Sequence, residues 1–132
     1  MHDKIFREYD IRGVFNQDYT KEFATLLGQA VAVYFKKHVT PKNQSTYALA
    51  IGHDCRPSGD IITPLFTQAL LESGFHVLDL GIVPTPLVYF AACTTPVDGA
   101  VSITGSHNPS EYNGFKICIG SATLYGSQIQ EL

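Results

Sequence analysis

The chain has 132 residues, of which 45% are hydrophobic, and twelve Asp and Glu outnumber nine Lys and Arg to give a net charge of −3. This length fits one domain with a buried core, and the hydrophobic content excludes a disordered tail. The acidic balance provides no basic face for nucleic acid, and no apolar stretch approaches the roughly 20 residues of a membrane span. We therefore expect an ordered domain whose partners include neither nucleic acid nor a membrane.

The cysteines indicate the cellular compartment. Cys55, Cys93 and Cys118 are odd in number and far apart, so they form neither a zinc-binding pattern nor a disulfide framework. The first residues lack the basic-then-apolar layout of a signal peptide. We expect a cytoplasmic location, with the cysteines serving as small apolar fillers.

The first ordered stretch, residues 5–15, mixes apolar residues with four charges. An edge strand with its charges in water would explain this alternation. It would not explain Arg12, which directly precedes the flexible Gly13, because a guanidinium suits a phosphate group bidentately.

A first helix is predicted over residues 20–36. Thr20 suits the N-cap position, and Phe23, Leu27 and Val31 fall on one face of the helix. This helix is expected to be scaffold.

Residues 46–52 are predicted to form a central strand that ends before Asp54, Arg56 and Ser58. The carboxyl ends of strands in open α/β sheets present ligand residues. Asp54 and Arg56 can equally form a local ion pair, and Ser58 can cap the next helix. We therefore favour a structural role for these three residues.

The helix after Ser58 contains Pro64. A proline inside a helix removes one hydrogen bond, so we expect either a restart with Thr63 as N-cap or a kink. Gly74 is a natural stop, and residues 75–81 are predicted to form a third strand.

Thr85 is predicted to cap a short helix that Pro86 begins and that ends near Ala92. The continuous apolar run over residues 87–92 predicts that this helix is buried.

Residues 100–103 predict a buried strand that leads into Gly105, Ser106, His107 and Asn108. Gly105 lets the backbone bend or take a positive φ, and Asn108 followed by proline favours a turn. Lys116 follows ten residues after Ser106. A hydroxyl on a stiff turn, with imidazole, amide and ammonium groups in reach, suits a serine that gives and takes a charged group.

Ser106 does not fit a serine hydrolase. Asn108 stands where the nucleophile elbow has its second glycine, and Pro109 stands where a Ser-x-x-Lys pair has its lysine. A phosphorylated serine fits better, because phosphoryl transfer depends mostly on positioning and charge stabilisation. An ordinary surface turn, with His107 making one hydrogen bond, is the alternative for this loop in isolation.

Residues 127–130 match a capping box, a signal that begins a helix, and the sequence stops two residues later. A helix that short is not stable alone. We expect residues 1–132 to be one domain of a longer chain.

Four segments occur in a fixed order: Tyr9-Asp10-Ile11-Arg12-Gly13, Gly52-x-Asp54-x-Arg56-x-Ser58-Gly59, Gly81-x-x-Pro84-Thr85-Pro86, and Ser106-His107-Asn108-Pro109 with Asn113-Gly114-x-Lys116. In order and spacing they resemble the N-terminal domain (domain I) of the α-D-phosphohexomutase superfamily, most closely its bacterial phosphomannomutase/phosphoglucomutase branch. The resemblance covers nearly the whole chain.

The resemblance implies an α/β fold, with a three-layer α/β/α domain around a mixed, mostly parallel four-stranded sheet. This domain would be the first of four in an enzyme that interconverts hexose 1- and 6-phosphates. Phosphorylated Ser106 would give its phosphoryl group to the sugar, form a 1,6-bisphosphate and recover the other phosphate. The isolated domain is expected to be inactive.

The resemblance also assigns roles to single residues. Ser106, Arg12, Lys116 and His107 are the expected catalytic residues, while Tyr9 and Asn108 would bind the substrate or orient the phosphoserine. Arg7 and Asp10 are expected to make local structural pairs.

The implied cofactor is Mg²⁺, held by Ser106 through its phosphate and by three aspartates of a segment that this sequence lacks. A hexose 1,6-bisphosphate would be the activator. The implied partners are a hexose phosphate and the remaining domains of the same enzyme.

Two alternatives stay open. Phosphoglucosamine mutase shares the serine loop, but its usual Gly-Thr-Asp-Gly-Ile-Arg-Gly pattern differs from the segment that contains Tyr9. A non-catalytic phosphosugar- or protein-binding module could also keep the loop. The sequence does not choose between mannose and glucose, because the sugar-selecting loop is absent from it.

Overall fold

A computed structural model describes residues 3–43 and 45–132. After a 3₁₀ turn at Asp3–Ile5, its elements are β1 (Ile11–Val14), α1 (Lys21–His38), β2 (Ala48–His53), α2 (Gly59–Glu72), β3 (His76–Ile82), α3 (Thr85–Thr94), β4 (Gly99–Ile103), β5 (Tyr112–Ile119), β6 (Ala122–Thr123) and α4 (Ser127–Glu131).

The strands form one mixed sheet in the order β1-β5-β4-β2-β3, with β6 added to β5. β2 runs parallel to β3 and β4, whereas β5 runs antiparallel to β1, β4 and β6. The predicted fold class is confirmed, and within residues 3–43 and 45–132 the sheet has six strands instead of four. The additional strands are short: β1 comes from the predicted edge stretch, and β6 folds back on β5 through a tight turn.

Two hydrophobic clusters make the structure three-layered. The larger lies between the sheet and the pair α1 and α2, where Phe35, Phe66 and Phe115 are fully buried. The smaller lies on the opposite face, where α3 packs Val88 and Ala91 against small residues of β2 and β4. Successive strand residues point to opposite faces, so the central strands β2 and β4 supply residues to both clusters.

The first helix follows its sequence signals closely. Thr20 occupies the N-cap position, and the stripe of Phe23, Leu27 and Val31 is buried. The helix ends at His38, two residues later than predicted. Thr20 makes no capping bond, because its hydroxyl donates to the Glu22 carboxylate at 2.6 Å.

The second helix differs from the prediction at its start. It runs continuously through Pro64, so the restart at Thr63 is wrong. Ser58 holds the N-cap position without a side-chain capping bond, because its hydroxyl accepts a hydrogen bond from the Asn113 amide at 2.9 Å. Gly74, with φ of 85°, lies just after the helix as predicted.

The third helix begins one residue early. Thr85 is its first residue, not its cap, and the Thr85 hydroxyl lies 3.0 Å from that of Ser102 on β4. The predicted burial of its apolar run holds only for the face against the sheet: Leu87 is 49% exposed and Phe90 63% exposed. No helix in the described part of the chain is long and apolar enough to cross a membrane.

Candidate active site

The serine loop connects β4 to β5 at the carboxyl end of β4. Its first amide, of Thr104, donates to the Gly114 carbonyl at 2.9 Å, so the loop leaves the sheet between two paired strands. Ser106 is exposed, so its hydroxyl is accessible from solvent.

The strained position of the loop is Ser106 and not Gly105. Ser106 has φ of 55°, in the left-handed region, whereas Gly105 is absent from the positive-φ residues. A left-handed conformation costs a non-glycine residue about 1–2 kcal/mol, so the surroundings must hold it. Of the two alternatives for Gly105, a bend or a positive φ, the positive φ is therefore not observed. The glycine lets Arg56 lie close against the backbone, since a Cβ atom at this position would lie 2.4 Å from Cζ of Arg56.

Arg56 holds the loop from behind. Its Nε donates to Asp54 at 2.9 Å, and its two terminal nitrogens donate to four loop carbonyls, those of Ser106, Asn108, Pro109 and Tyr112. The Arg56 side chain is only 10% exposed. The predicted pair of Asp54 and Arg56 is present, but the sequence did not indicate that its main contacts are with the serine loop.

Asp54 holds the other side of the same loop. One carboxylate oxygen accepts the Thr104 hydroxyl at 2.7 Å and the Gly105 amide at 3.2 Å. The Thr104 hydroxyl in turn accepts the Ser106 amide at 2.8 Å. These hydrogen bonds connect Asp54 to the Ser106 amide through Thr104, a residue to which the sequence motifs assigned no role. A prediction that β2 and β4 are neighbours could have indicated the role of Thr104. Neighbouring parallel strands end at the same edge of the sheet, so Asp54 after β2 and Thr104 after β4 lie close together.

His107 and Asn108 both lie beside Ser106. His107 Nδ1 is 3.4 Å from the Ser106 hydroxyl, and both side chains are exposed. The Asn108 amide donates to the Gly105 carbonyl at 3.0 Å, so it is engaged within the turn.

Arg12 and Lys116 share one carboxylate. Asp10 accepts a hydrogen bond from Arg12 Nη2, and the same oxygen lies 3.3 Å from Lys116 Nζ. Arg12 pairs with Gly114 across β1 and β5, so Arg12 and Lys116 are on the same face of the sheet. Asp10 thus makes the structural pair expected of it, with both predicted catalytic cations.

Arg12 is 7% exposed, and its Nε has no hydrogen-bond partner in the described part of the chain. The remaining predicted residues are open to solvent, since Tyr9 is 65% exposed and Arg7 is also exposed. Arg7 joins no ion pair with another described residue, so the structural pair expected of it is not observed.

Tyr19 is a core residue whose pKa depends on its burial and on the charge of Arg56. Burial raises the pKa of Tyr19, and the positive charge of Arg56 partly opposes this. The phenol therefore stays neutral at physiological pH.

Residues 3–43 and 45–132 contain no group of three or more His, Cys, Asp or Glu side chains that could hold a metal ion. A phosphate on the exposed Ser106 would provide the hard oxygen ligands that Mg²⁺ prefers. The described residues thus fit one ligand to Mg²⁺ and not a complete site.

Comparison with known proteins decides the family. A family model described as phosphoglucomutase/phosphomannomutase, alpha/beta/alpha domain I, matches residues 3–132. The chain belongs to the phosphoglucomutase/phosphomannomutase family. This confirms the family that the four motifs predicted.

Two relatives illustrate the similarity within the phosphoglucomutase/phosphomannomutase family. The chain is 43% identical over 129 residues to a phosphoglucomutase of Neisseria meningitidis serogroup B, covering 97% of this chain and 26% of that protein. It is 41% identical over 130 residues to a phosphomannomutase/phosphoglucomutase of Pseudomonas putida, covering 98% and 27% respectively. The chain thus spans about a quarter of the length of these curated relatives.

A solved structure has the same fold. The chain matches a phosphoglucomutase/phosphomannomutase family protein from Burkholderia thailandensis with a TM-score of 0.88 and 35% sequence identity, over 99% of this chain and 29% of that one.

Proposed function

We propose that this chain is the catalytic-serine domain of a phosphohexomutase that interconverts hexose 1-phosphate and hexose 6-phosphate. The observation that carries the proposal is the placement of Ser106. Its hydroxyl is exposed on a turn that Arg56 and Asp54 hold rigidly. β5, the strand that follows this turn, carries Lys116, and its neighbour β1 carries Arg12. Both cations lie on the same face of the sheet.

The proposed reaction has two phosphoryl transfers. A free sugar hydroxyl attacks the phosphorus of phosphorylated Ser106; the bond to Ser106 Oγ breaks, and the hydroxyl proton ends on Ser106. The resulting bisphosphate reorients, and Ser106 Oγ attacks the phosphorus of its other phosphoryl group; the bond from that phosphorus to the sugar oxygen breaks, and the serine proton ends on that oxygen. Charge stabilisation is the main requirement of such transfers.

The other residues have supporting roles in this proposal. Arg12 and Lys116 stabilise negative charge at the bridging oxygen, and Lys116 is suited to move the proton. His107 and Asn108 orient the phosphoserine, and the exposed Tyr9 ring contacts the sugar. Lys116 suits proton transfer better than Arg12, since a guanidinium remains protonated in proteins.

Mg²⁺ would supply charge neutralisation at the transferring phosphoryl group. Among the residues of this chain, Ser106 would contribute a ligand through its phosphate, and the remaining ligands would come from elsewhere in the enzyme. In this proposal the chain is one domain of a larger cytoplasmic enzyme. The substrate of that enzyme is a hexose phosphate, and its activator is a hexose 1,6-bisphosphate. Residues 1–132 alone are then inactive.

The test uses a four-domain enzyme in which this chain is the first domain. Incubation with glucose 1,6-bisphosphate, followed by intact-mass measurement, is expected to show one added phosphoryl group. Ser106→Ala should abolish this gain, whereas Ser110→Ala, which removes another exposed hydroxyl of the same loop, should keep it. Absence of labelling in the unsubstituted enzyme would contradict the proposal and favour a non-catalytic binding module.

The same enzyme tests the substrate. Coupled assays with glucose, mannose and glucosamine 1-phosphates should show turnover of the hexose phosphates. Preferential turnover of the glucosamine phosphate would assign the protein to phosphoglucosamine mutases.

A further inference from the structure

We propose that Arg56 is a positioning residue for the phosphate on Ser106. By binding the loop carbonyls, Arg56 turns the backbone N–H groups of His107 and Ser110 outward, where they donate to the phosphate oxygens. The inference rests on the proposed function, because it concerns the phosphorylated form of Ser106.

The guanidinium of Arg56 has no donor left for a ligand. A guanidinium carries five N–H donors. Nε donates to Asp54; Nη2 donates to the carbonyls of Ser106 at 3.0 Å and Asn108 at 2.7 Å. Nη1 donates to the carbonyls of Pro109 and Tyr112. All five donors are therefore used within the domain, and Arg56 acts on a phosphate through the loop instead of by direct contact.

Peptide geometry fixes where the loop amides point. A trans peptide is planar, with its N–H opposite to its C=O, and the described residues contain no cis peptide bond. The Ser106 carbonyl shares its peptide with the His107 N–H, and the Pro109 carbonyl shares its peptide with the Ser110 N–H. Both carbonyls point at Arg56, so both N–H groups point away from it. The Asn108 carbonyl precedes Pro109, which has no N–H to direct.

The hydrogen-bond pattern agrees with this geometry. The amides of Gly105, Ser106 and Asn108 donate within the domain. In the described part of the chain, the amides of His107 and Ser110 have no acceptor, and both residues are exposed. Backbone N–H groups oriented in this way bind anions, and a phosphate supplies three strong acceptor oxygens. The two outward amides are thus available to phosphorylated Ser106.

Lysine could not replace Arg56 in this role. It would keep the charge near Asp54, but it has three donors on one nitrogen and lacks the planar fork that reaches four separate carbonyls. Arg56→Lys therefore removes the orientation of the loop carbonyls while it keeps the positive charge at position 56.

The experiment uses the 132-residue chain with phosphoserine incorporated at position 106 during synthesis. ³¹P NMR follows the second ionisation of the phosphate, whose pKa is about 6 in an unstructured peptide. Donors to the dianion lower this pKa, and we expect a value roughly one unit below that of the same segment unfolded in urea. The amide proton resonances of His107 and Ser110 should move downfield on phosphorylation.

Arg56→Lys should return the phosphate pKa to the unfolded value and abolish the two amide shifts. The matched control is Arg7→Lys, a change at an exposed arginine outside the loop, which should leave both signals unchanged. An unshifted phosphate pKa in the unsubstituted chain would overturn the inference, even if Arg56→Lys failed to fold. So would a lowered pKa that persists in folded Arg56→Lys.

Failure of this inference can be distinguished from failure of the proposed function. The phosphate is installed during synthesis, so its pKa reports only on the loop. Phosphorylation of the four-domain enzyme by a hexose bisphosphate tests the function separately.

Discussion

The ammonium group of Lys116 lies 3.3 Å from an Asp10 oxygen that also accepts a hydrogen bond from Arg12. Asp10 is 8% exposed and Arg12 7% exposed, so the pair is buried at the edge of the sheet. One carboxylate thereby fixes both cations assigned to the phosphoryl-transfer site.

Asp10→Asn should destabilise the fold strongly. The substitution leaves the buried Arg12 charge without its counter-charge, and breaking a buried pair in this way costs about 3–5 kcal/mol. Urea unfolding, followed by circular dichroism, measures the loss. The control is Asp60→Asn, at an exposed position in the first turn of α2, which should cost less than about 1 kcal/mol. Equal losses in the two variants would contradict the central position of Asp10.

Thr104→Val should loosen the serine loop without changing its shape. The threonine is 6% exposed, and its hydroxyl donates to Asp54 and accepts the Ser106 amide. Leaving these groups without a partner costs about 1–3 kcal/mol. Amide hydrogen exchange at Ser106 should accelerate, and urea unfolding should show the loss in stability.

Thr94→Val provides the matched control for the serine loop. The Thr94 hydroxyl bonds only a carbonyl of its own helix and is exposed, so neither exchange at Ser106 nor global stability should change appreciably. Unchanged exchange at Ser106 in Thr104→Val would show that the threonine does not hold the turn.

The cysteines should differ in reactivity. Cys55 and Cys93 are exposed and Cys118 is buried. Burial raises the pKa of the Cys118 thiol, and the thiolate is the reactive form. Iodoacetamide at neutral pH should modify two thiols quickly and the third only after addition of urea, as counted by mass spectrometry. Rapid modification of Cys118 in the native chain would contradict its placement in the sheet.

The sequence predicted the elements whose signals are local. The stripe through Phe23, Leu27 and Val31 placed α1 within two residues of its observed end. Pro64 shows where local rules fail: a single missing hydrogen bond in α2 is tolerated because the packed face of the helix extends on both sides of it. Propensity therefore left a restart open, and the structure excludes it because α2 is continuous.

The motifs proposed the chemistry of the candidate site but did not predict its geometry. The motif identified Ser106, His107 and Lys116 together, but the left-handed φ at Ser106 depends on Arg56, fifty positions away in the sequence. A contact at that separation exists only because β2 and β4 are parallel neighbours. Residue types at one loop cannot encode it, so the sequence did not predict that Ser106, and not Gly105, takes the positive φ.

The contact between α4 and α1 should respond to pH. Glu131 accepts a hydrogen bond from Lys37 at 2.6 Å and lies 2.9 Å from His38 Nε2. The hydrogen bond from Lys37, followed by that from His38, lowers the pKa of Glu131. A lowered carboxyl pKa contributes stability above the ordinary value of about 4.3 and loses it as the pH falls through the folded-state value.

Glu131→Gln should therefore abolish the small contribution to stability that the unsubstituted chain loses as the pH falls. The difference in Tm between the unsubstituted chain and Glu131→Gln should be largest near neutral pH and should vanish once the pH falls below the lowered folded-state pKa of Glu131, because both side chains are then uncharged. Glu72→Gln serves as the control, since Glu72 accepts only from a neutral amide, that of Gln68 at 2.9 Å. A Tm difference that stays constant from neutral to acidic pH would show that the carboxylate charge contributes nothing to docking of α4.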